Sequence, residues 1–95
     1  MHKTPSPDDL RVFTAVVRKA SFAEAARELG ASPAFVSKRI RLLEEDLAVK
    51  LLHRTTRQLS LTEEGEVFHA RCRQVLADID EAEAEITSRR GQAVG

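Results

Sequence analysis

The segment Ser21–Ile40, SFAEAARELGASPAFVSKRI, constrains the fold more than any other part of this 95-residue chain. It reads as two short helices joined by one tight turn. Ser21 with Glu24 three residues later is a capping-box signature, in which a hydroxyl and a carboxylate serve amides that the first turn leaves unpaired. Gly30 stands at the helix end, where glycine enters the left-handed region without steric cost. Ser32 caps the next helix, and Pro33 takes its first position, where a missing N–H costs nothing. That helix places Val36, Ile40, Leu43 and Leu47 on one side, at spacings of four, three and four. The other side carries Ala34, Ser37, Lys38 and Arg41. Two helices at a tight turn, the second apolar on one face and hydroxyl-plus-basic on the other, have the layout of a helix-turn-helix. The second helix of that unit enters the DNA major groove.

The flanks support this unit. A first helix is expected to start near Asp8 or Asp9, whose carboxylates suit free helix amides. Leu10, Phe13 and Val17 share one face, with Val12 and Val16 beside it. After the third helix, LLHRTTRQLSLT reads as a short β-hairpin. Leu51 and Leu52 precede a basic tip of His53, Arg54, Thr55, Thr56 and Arg57, and Leu59 and Leu61 alternate with Ser60 beyond it. A basic hairpin in this place is a wing. Thr62 then caps a last helix with Glu63, Glu64 and Glu66 in its first turn, expected to run to about Ser88. The fold class is therefore mainly α: a winged helix-turn-helix of three helices and a two-stranded wing, followed by a long linker helix. The expected organisation is a flexible tail over 1–7, the winged domain over 8–61, the linker helix over 62–88 and a hinge or end segment over 89–95.

Along the last helix Phe68, Cys72, Val75, Ile79, Ala82 and Ile86 recur at alternating spacings of four and three, which is a heptad seam. A helix of this length spans roughly 40 Å at 1.5 Å per residue. A small three-helix core is too short to cover it, so the seam is expected to meet the same helix of a second chain.

The formal net charge is zero, but the chain is electrically split. Residues 10–61 hold ten Lys/Arg against five Asp/Glu, whereas residues 62–95 hold four against eight. A basic segment followed by an acidic one suggests that only the first meets a polyanion. Apolar content of 42% suffices for one modest core. No run approaches the eighteen apolar residues of a membrane span, and the start MHKTPSPDD lacks a secretory apolar region. The single cysteine, Cys72, forms no internal disulfide, which fits a reducing cytoplasm. His69 and Cys72 lie three apart on a helix without a second ligand pair, so no metal is expected. No glycine-rich phosphate loop and no acid–base pair stand out. Neither a catalytic residue nor a cofactor is expected in this segment.

The residues suited to DNA lie on the third helix and the wing. Lys38 and Arg41 suit guanine edges or phosphates, and Ser37 bonds either. Phe35, beside the polar face, touches a thymine methyl or seals the helix edge. Arg39, to one side, reaches a phosphate or a surface acid. Glu44, Glu45 and Asp46 repel phosphate near the far end, which leaves the N-terminal half to face DNA. Arg57 suits a narrow, electronegative minor groove, while Arg54 holds the wing or a phosphate. Ser21, Ser32 and Thr62 are caps whose helix N-termini also favour anions.

The run from Ser21 to Gly65, with AARELG, SPAFVSKRI and LLEEDLAVKLLHRTTRQLSLTEEG in order, resembles the N-terminal winged helix-turn-helix of LysR-type transcriptional regulators. The resemblance extends over about Leu10 to Ile86. It implies a bacterial, cytoplasmic regulator that binds partly palindromic promoter DNA as a dimer or a dimer of dimers, with antiparallel linker helices. It also implies a C-terminal domain, absent from this sequence, that senses a small-molecule effector. By resemblance, contacts to double-stranded DNA fall on Pro33, Ala34, Phe35, Ser37 and Lys38, with Arg41 nearby and Arg57 on the wing. Ser32, as a capped helix N-terminus, and Arg54, as a wing cation, join the candidate DNA-binding set from the residue reading alone. Three departures concern the DNA sequence preferred and one turn. Pro33-Ala34 stands where Gln-Pro is common, Lys38 where arginine is frequent, and Ala48 where a glycine usually ends the helix. Two other readings fit the same pattern: a MarR-like dimeric repressor, and a winged-helix module whose basic face binds an acidic protein.

Overall fold

The computed structural model describes residues 5–55 and 58–94. The order is α1 (Pro7–Lys19), α2 (Phe22–Leu29), α3 (Pro33–Leu47), β1 (Leu52–Arg54), β2 (Leu59–Leu61) and α4 (Glu63–Val94). α1 starts earlier than Asp8 or Asp9. Ser6 is the N-cap and Pro7 takes the first turn. The reciprocal capping box forms here: Asp9 N–H donates to Ser6 Oγ at 3.3 Å, and Ser6 N–H donates to the Asp9 carboxylate at 3.1 Å. At α2 only half of the expected box is made. Ser21 Oγ accepts from Glu24 N–H, while the Glu24 side chain turns to Arg27 at 3.7 Å. α3 begins as expected, with Ser32 accepting from Phe35 N–H and Pro33 in the first turn.

The three helices enclose a core of Val12, Phe13, Ala15, Val16, Ala25, Ala26, Val36, Ile40 and Leu43, closed below by Leu51 and Leu52. Leu10, Val17 and Leu47 are partly buried against it. Two alanines and the stripe of α3 let the helices approach closely around the Phe13 ring. The strands pair antiparallel, with Leu52 opposite Leu61 and Arg54 opposite Leu59. Thr55 and Gln58 join the strand ends, Thr55 N–H donating to the Gln58 carbonyl at 3.0 Å.

α4 runs on to Val94, past the stop expected near Ser88. Nothing from Thr87 to Gly91 is a strong breaker, and Gly91 lies within the helix with open space around it. The start of α4 is clamped to the wing root. Thr62 N–H donates to the Leu51 carbonyl at 3.0 Å, Thr62 Oγ1 donates to the Lys50 carbonyl at 2.7 Å, and Gly65 N–H donates back to Thr62 Oγ1 at 2.9 Å.

Candidate nucleic-acid interface

α3 divides its residues between core and surface by its 3.6-residue period. Val36 and Ile40 are fully buried, while Pro33, Ala34, Phe35, Lys38 and Arg41 are exposed and Ser37 is half-buried. Apart from Ser37, the expected polar face of α3 therefore stands clear of the domain. Ser32, the N-cap, is exposed at its start.

The basic segment is less free than its composition suggests. Arg41 Nε lies 3.7 Å from Glu45 one turn along. Arg18 makes two hydrogen bonds to Glu28, which also draws Lys19 to 3.8 Å. Arg39 turns from the exposed face to the buried carboxylate of Asp9, so of its two expected partners it takes an acid of its own chain. Among the described residues of this segment, Arg11 and Lys38 are the cations that form no ion pair. Lys38 stands on the exposed face of α3, which makes it the available positive charge at the centre of the candidate site.

Phe35 stands beside the polar face of α3. It is 50% exposed and, with Leu29, Ala31 and Val12, lines a shallow groove between α1 and the turn. Arg54 behaves as a wing holder. Its guanidinium lies 3.3 Å from Glu44 and its Cζ stands 5.2 Å above the Phe22 ring centroid. The charge–ring contact adds to the ion pair. Arg57, the preferred minor-groove contact, and Thr56 lie outside the described residues.

Glu44 departs most from the sequence-based expectation. Grouped with Glu45 and Asp46 as a phosphate-repelling end, it is instead buried and bonded within the fold. It sits one turn beyond Ile40 on the inner face of α3, where the wing root passes. Leu51 and Leu52 N–H both donate to its Oε2. A signal was present: the four-residue step from Ile40 to Glu44 places a charge on the apolar stripe. Ala48, standing where a glycine usually ends the helix, takes the left-handed geometry itself, at φ 56° and ψ 38°.

The heptad seam is divided by the structure. Phe68 and Cys72 face their own domain: the Phe68 ring lies 5.5 Å from that of Phe13, and Cys72 is 1% exposed. Cys72 is therefore taken up by its own core, and Phe68 is partly buried against α1. Burial pushes the Cys72 thiol up to about 11, which keeps it neutral. His69 packs against Phe13 edge-on, and burial with the Arg73 charge lowers its pKa. Val75 and Ile86 are exposed, as is Ala82, and Ile79 is half-exposed. From Asp80 to Gly91 every side chain is open to solvent. Among the described residues no three His, Cys, Asp or Glu side chains gather into a metal-holding group, and no helix is long and apolar enough to cross a membrane.

Comparison with known proteins agrees with this geometry. The family described as bacterial regulatory helix-turn-helix protein, lysR family, matches residues 7–66. The transcriptional regulator DmlR of Escherichia coli K12 is 51% identical over 90 residues, which is 95% of this chain and 29% of that protein. CrgA of Neisseria meningitidis is 46% identical over 79 residues, covering 83% of this chain and 26% of its own length. The chain thus spans less than a third of these relatives. Among solved structures, the DNA-binding domain of BenM with benA site 1 DNA superposes with a TM-score of 0.83 at 33% identity, covering 92% of this chain and 97% of that one. The DNA-binding domain of CbnR in its DNA complex gives 0.84 at 28% identity, covering 90% and 99%.

Proposed function

The chain belongs to the lysR family of bacterial regulatory helix-turn-helix proteins, and on that premise we propose that it is the sequence-specific DNA-binding part of a longer, dimeric transcription regulator. The observation that carries this reading is the exposed, polar face of α3, with Lys38 unpaired at its centre and the opposite face locked into the core. A helix so held presents its side chains to a groove without reorganising. Lys38 and Ser37 meet base edges and phosphates, Pro33, Ala34 and Phe35 pack against sugar and thymine methyl groups, and Arg41 exchanges Glu45 for a phosphate. The wing lies along the flanking minor groove, with Arg57 as its groove contact.

The partner of α4 in this reading is α4 of a second copy. Val75, Ile79, Ala82 and Ile86 form the seam that the domain leaves uncovered. The two helices run antiparallel in this reading, as membership of the family implies. A small-molecule effector acts on the rest of the regulator, the working compartment is the cytoplasm, and the segment performs no chemistry of its own. Whether two or four subunits assemble is decided beyond this segment.

The test is titration of fluorescent random-sequence duplex at low and high salt, followed by selection of bound duplexes from a random pool. Binding should be strong at low salt and fall steeply as salt rises, because each phosphate neutralised releases counterions. Lys38→Ala should weaken the selected duplex about tenfold, the size of one good base contact. No duplex binding at low salt, with capture of an acidic protein instead, refutes the proposal.

A further inference from the structure

We propose that Glu44 is a positioning residue whose one carboxylate fixes the wing relative to the recognition helix and thereby sets the preference for one DNA sequence over another. The inference rests on the DNA-binding function proposed above.

Glu44 lies on α3 two helical turns after the half-buried Ser37, on the side that meets the wing root. It is 5% exposed. One oxygen, Oε2, accepts N–H bonds from Leu51 at 2.8 Å and Leu52 at 3.2 Å. The other, Oε1, accepts from the Arg54 guanidinium at 3.3 Å and has Lys50 Nζ at 4.0 Å. All four partners belong to the wing root and its first strand. Leu51 passes the link on, since its carbonyl accepts from Thr62 N–H at the start of α4. Arg54 passes it to α2 by lying over Phe22. A single side chain thus ties α3 to β1 directly, and to α2 and α4 through one residue each.

Burying a carboxylate is unfavourable unless its oxygens are filled, and here Leu51, Leu52 and Arg54 fill them. The carboxylate adds direction. Apolar contacts tolerate sliding of the strand along the helix, whereas charge-assisted hydrogen bonds at these distances hold it at one offset and one angle. A groove contact at the wing depends on that angle. Phosphate contacts made by α3 alone do not.

The experiment compares the wild-type chain with E44Q, E44A and the double variant E44Q/R54Q. Each is titrated with the duplex that the wild-type chain selects from a random pool, and with random-sequence duplex at the same salt. Hydroxyl-radical footprints are taken on the selected duplex. Glutamine keeps an oxygen for Leu51 and Leu52 but turns an amide N–H toward Arg54. E44Q should keep helical circular dichroism and bind random duplex within about twofold of wild type, while its preference for the selected duplex falls about tenfold, as for one lost charge-assisted bond. Protection of the flanking minor groove should fade while central protection stays. E44A should act in the same direction and more strongly. E44Q/R54Q should regain part of the preference, since the second amide accepts from the first. Retention of preference and flank protection by E44Q overturns the inference, and so does a parallel loss on both duplexes, which marks a merely structural role. If E44A does not fold, E44Q decides on the same criteria. Failure of the wild-type chain to bind any duplex is a separate outcome that overturns the DNA-binding function and the inference with it.

Discussion

The carbonyl oxygen of Leu51 lies so close to Gly65 that a β-carbon built on the glycine falls 2.0 Å from it. The same carbonyl accepts from Thr62 N–H, so the wing root and the first turn of α4 meet backbone to backbone. No rotamer relieves such an overlap, because neither atom belongs to a flexible side chain. Gly65→Ala should therefore destabilise by about 3 kcal/mol, the upper range of overpacking. For a domain of this size that lowers Tm by more than about 10 °C in thermal unfolding.

Three helix ends use the left-handed region: Ala20 at φ 52°, Gly30 at φ 68° and Ala48 at φ 56°. An alanine there carries a steric penalty that glycine lacks. Ala20→Gly and Ala48→Gly should each stabilise by about 0.5–1 kcal/mol in urea titration, and Gly30→Ala should do the reverse. Open space surrounds Gly30, so its loss reflects φ alone, unlike Gly65→Ala.

The pH dependence of stability should carry a contribution from Asp9. Burial pushes its carboxyl upward, but the Ser6 backbone N–H, the Arg39 guanidinium and the Ser6 side chain together hold it below the usual carboxylate value. A depressed folded pKa adds stability that is present above the unfolded value and is lost as pH falls through the folded one. Asp9→Asn should cost about 1–2 kcal/mol at pH 7, from the lost charge-assisted bonds. The gap to wild type should close as pH drops below about 4. Denaturant midpoints across pH 2–7 measure this.

The two ends of the α4 seam should respond differently to truncation. Phe68→Ala removes a ring packed on Phe13 and should destabilise the single chain by about 2–3 kcal/mol. Ile86, 59% exposed, touches nothing in its own domain core. Ile86→Ala should leave unfolding of the dilute chain within about 0.5 kcal/mol. It should weaken self-association about tenfold by sedimentation, through the apolar area lost from both helices.

The locally encoded parts of the fold were legible in the order of residues. Ser21, Gly30, Ser32, Pro33 and Thr62 act through their own side chain or dihedral angle on amides within a few residues. The Val36–Ile40–Leu43 stripe is a matter of helical period. Leu51 and Leu52 before a basic tip, and Leu59 and Leu61 alternating with Ser60 after it, marked the wing. Even at α1 the misplaced start was a local error, because Ser6 and Asp9 form the box that Ser21 and Glu24 advertise. The exposed face carrying Lys38 and Arg41 followed directly, since burying one side of a helix exposes the other.

Partner choice between distant segments was not legible. Arg39 takes Asp9 thirty residues away, Glu44 leaves the acidic cluster its neighbours suggest and binds the wing root, and Gly65 is required by a carbonyl fourteen residues earlier. A heptad marks which side of a helix is apolar but not what covers it, so Phe68 and Ile86 look alike until α1 is seen against one of them. Short-range hydrogen bonds and periodicity are written in neighbouring residues. Which charges neutralise each other, and which apolar residues remain uncovered, depends on segments that become neighbours only when the helices close around Phe13.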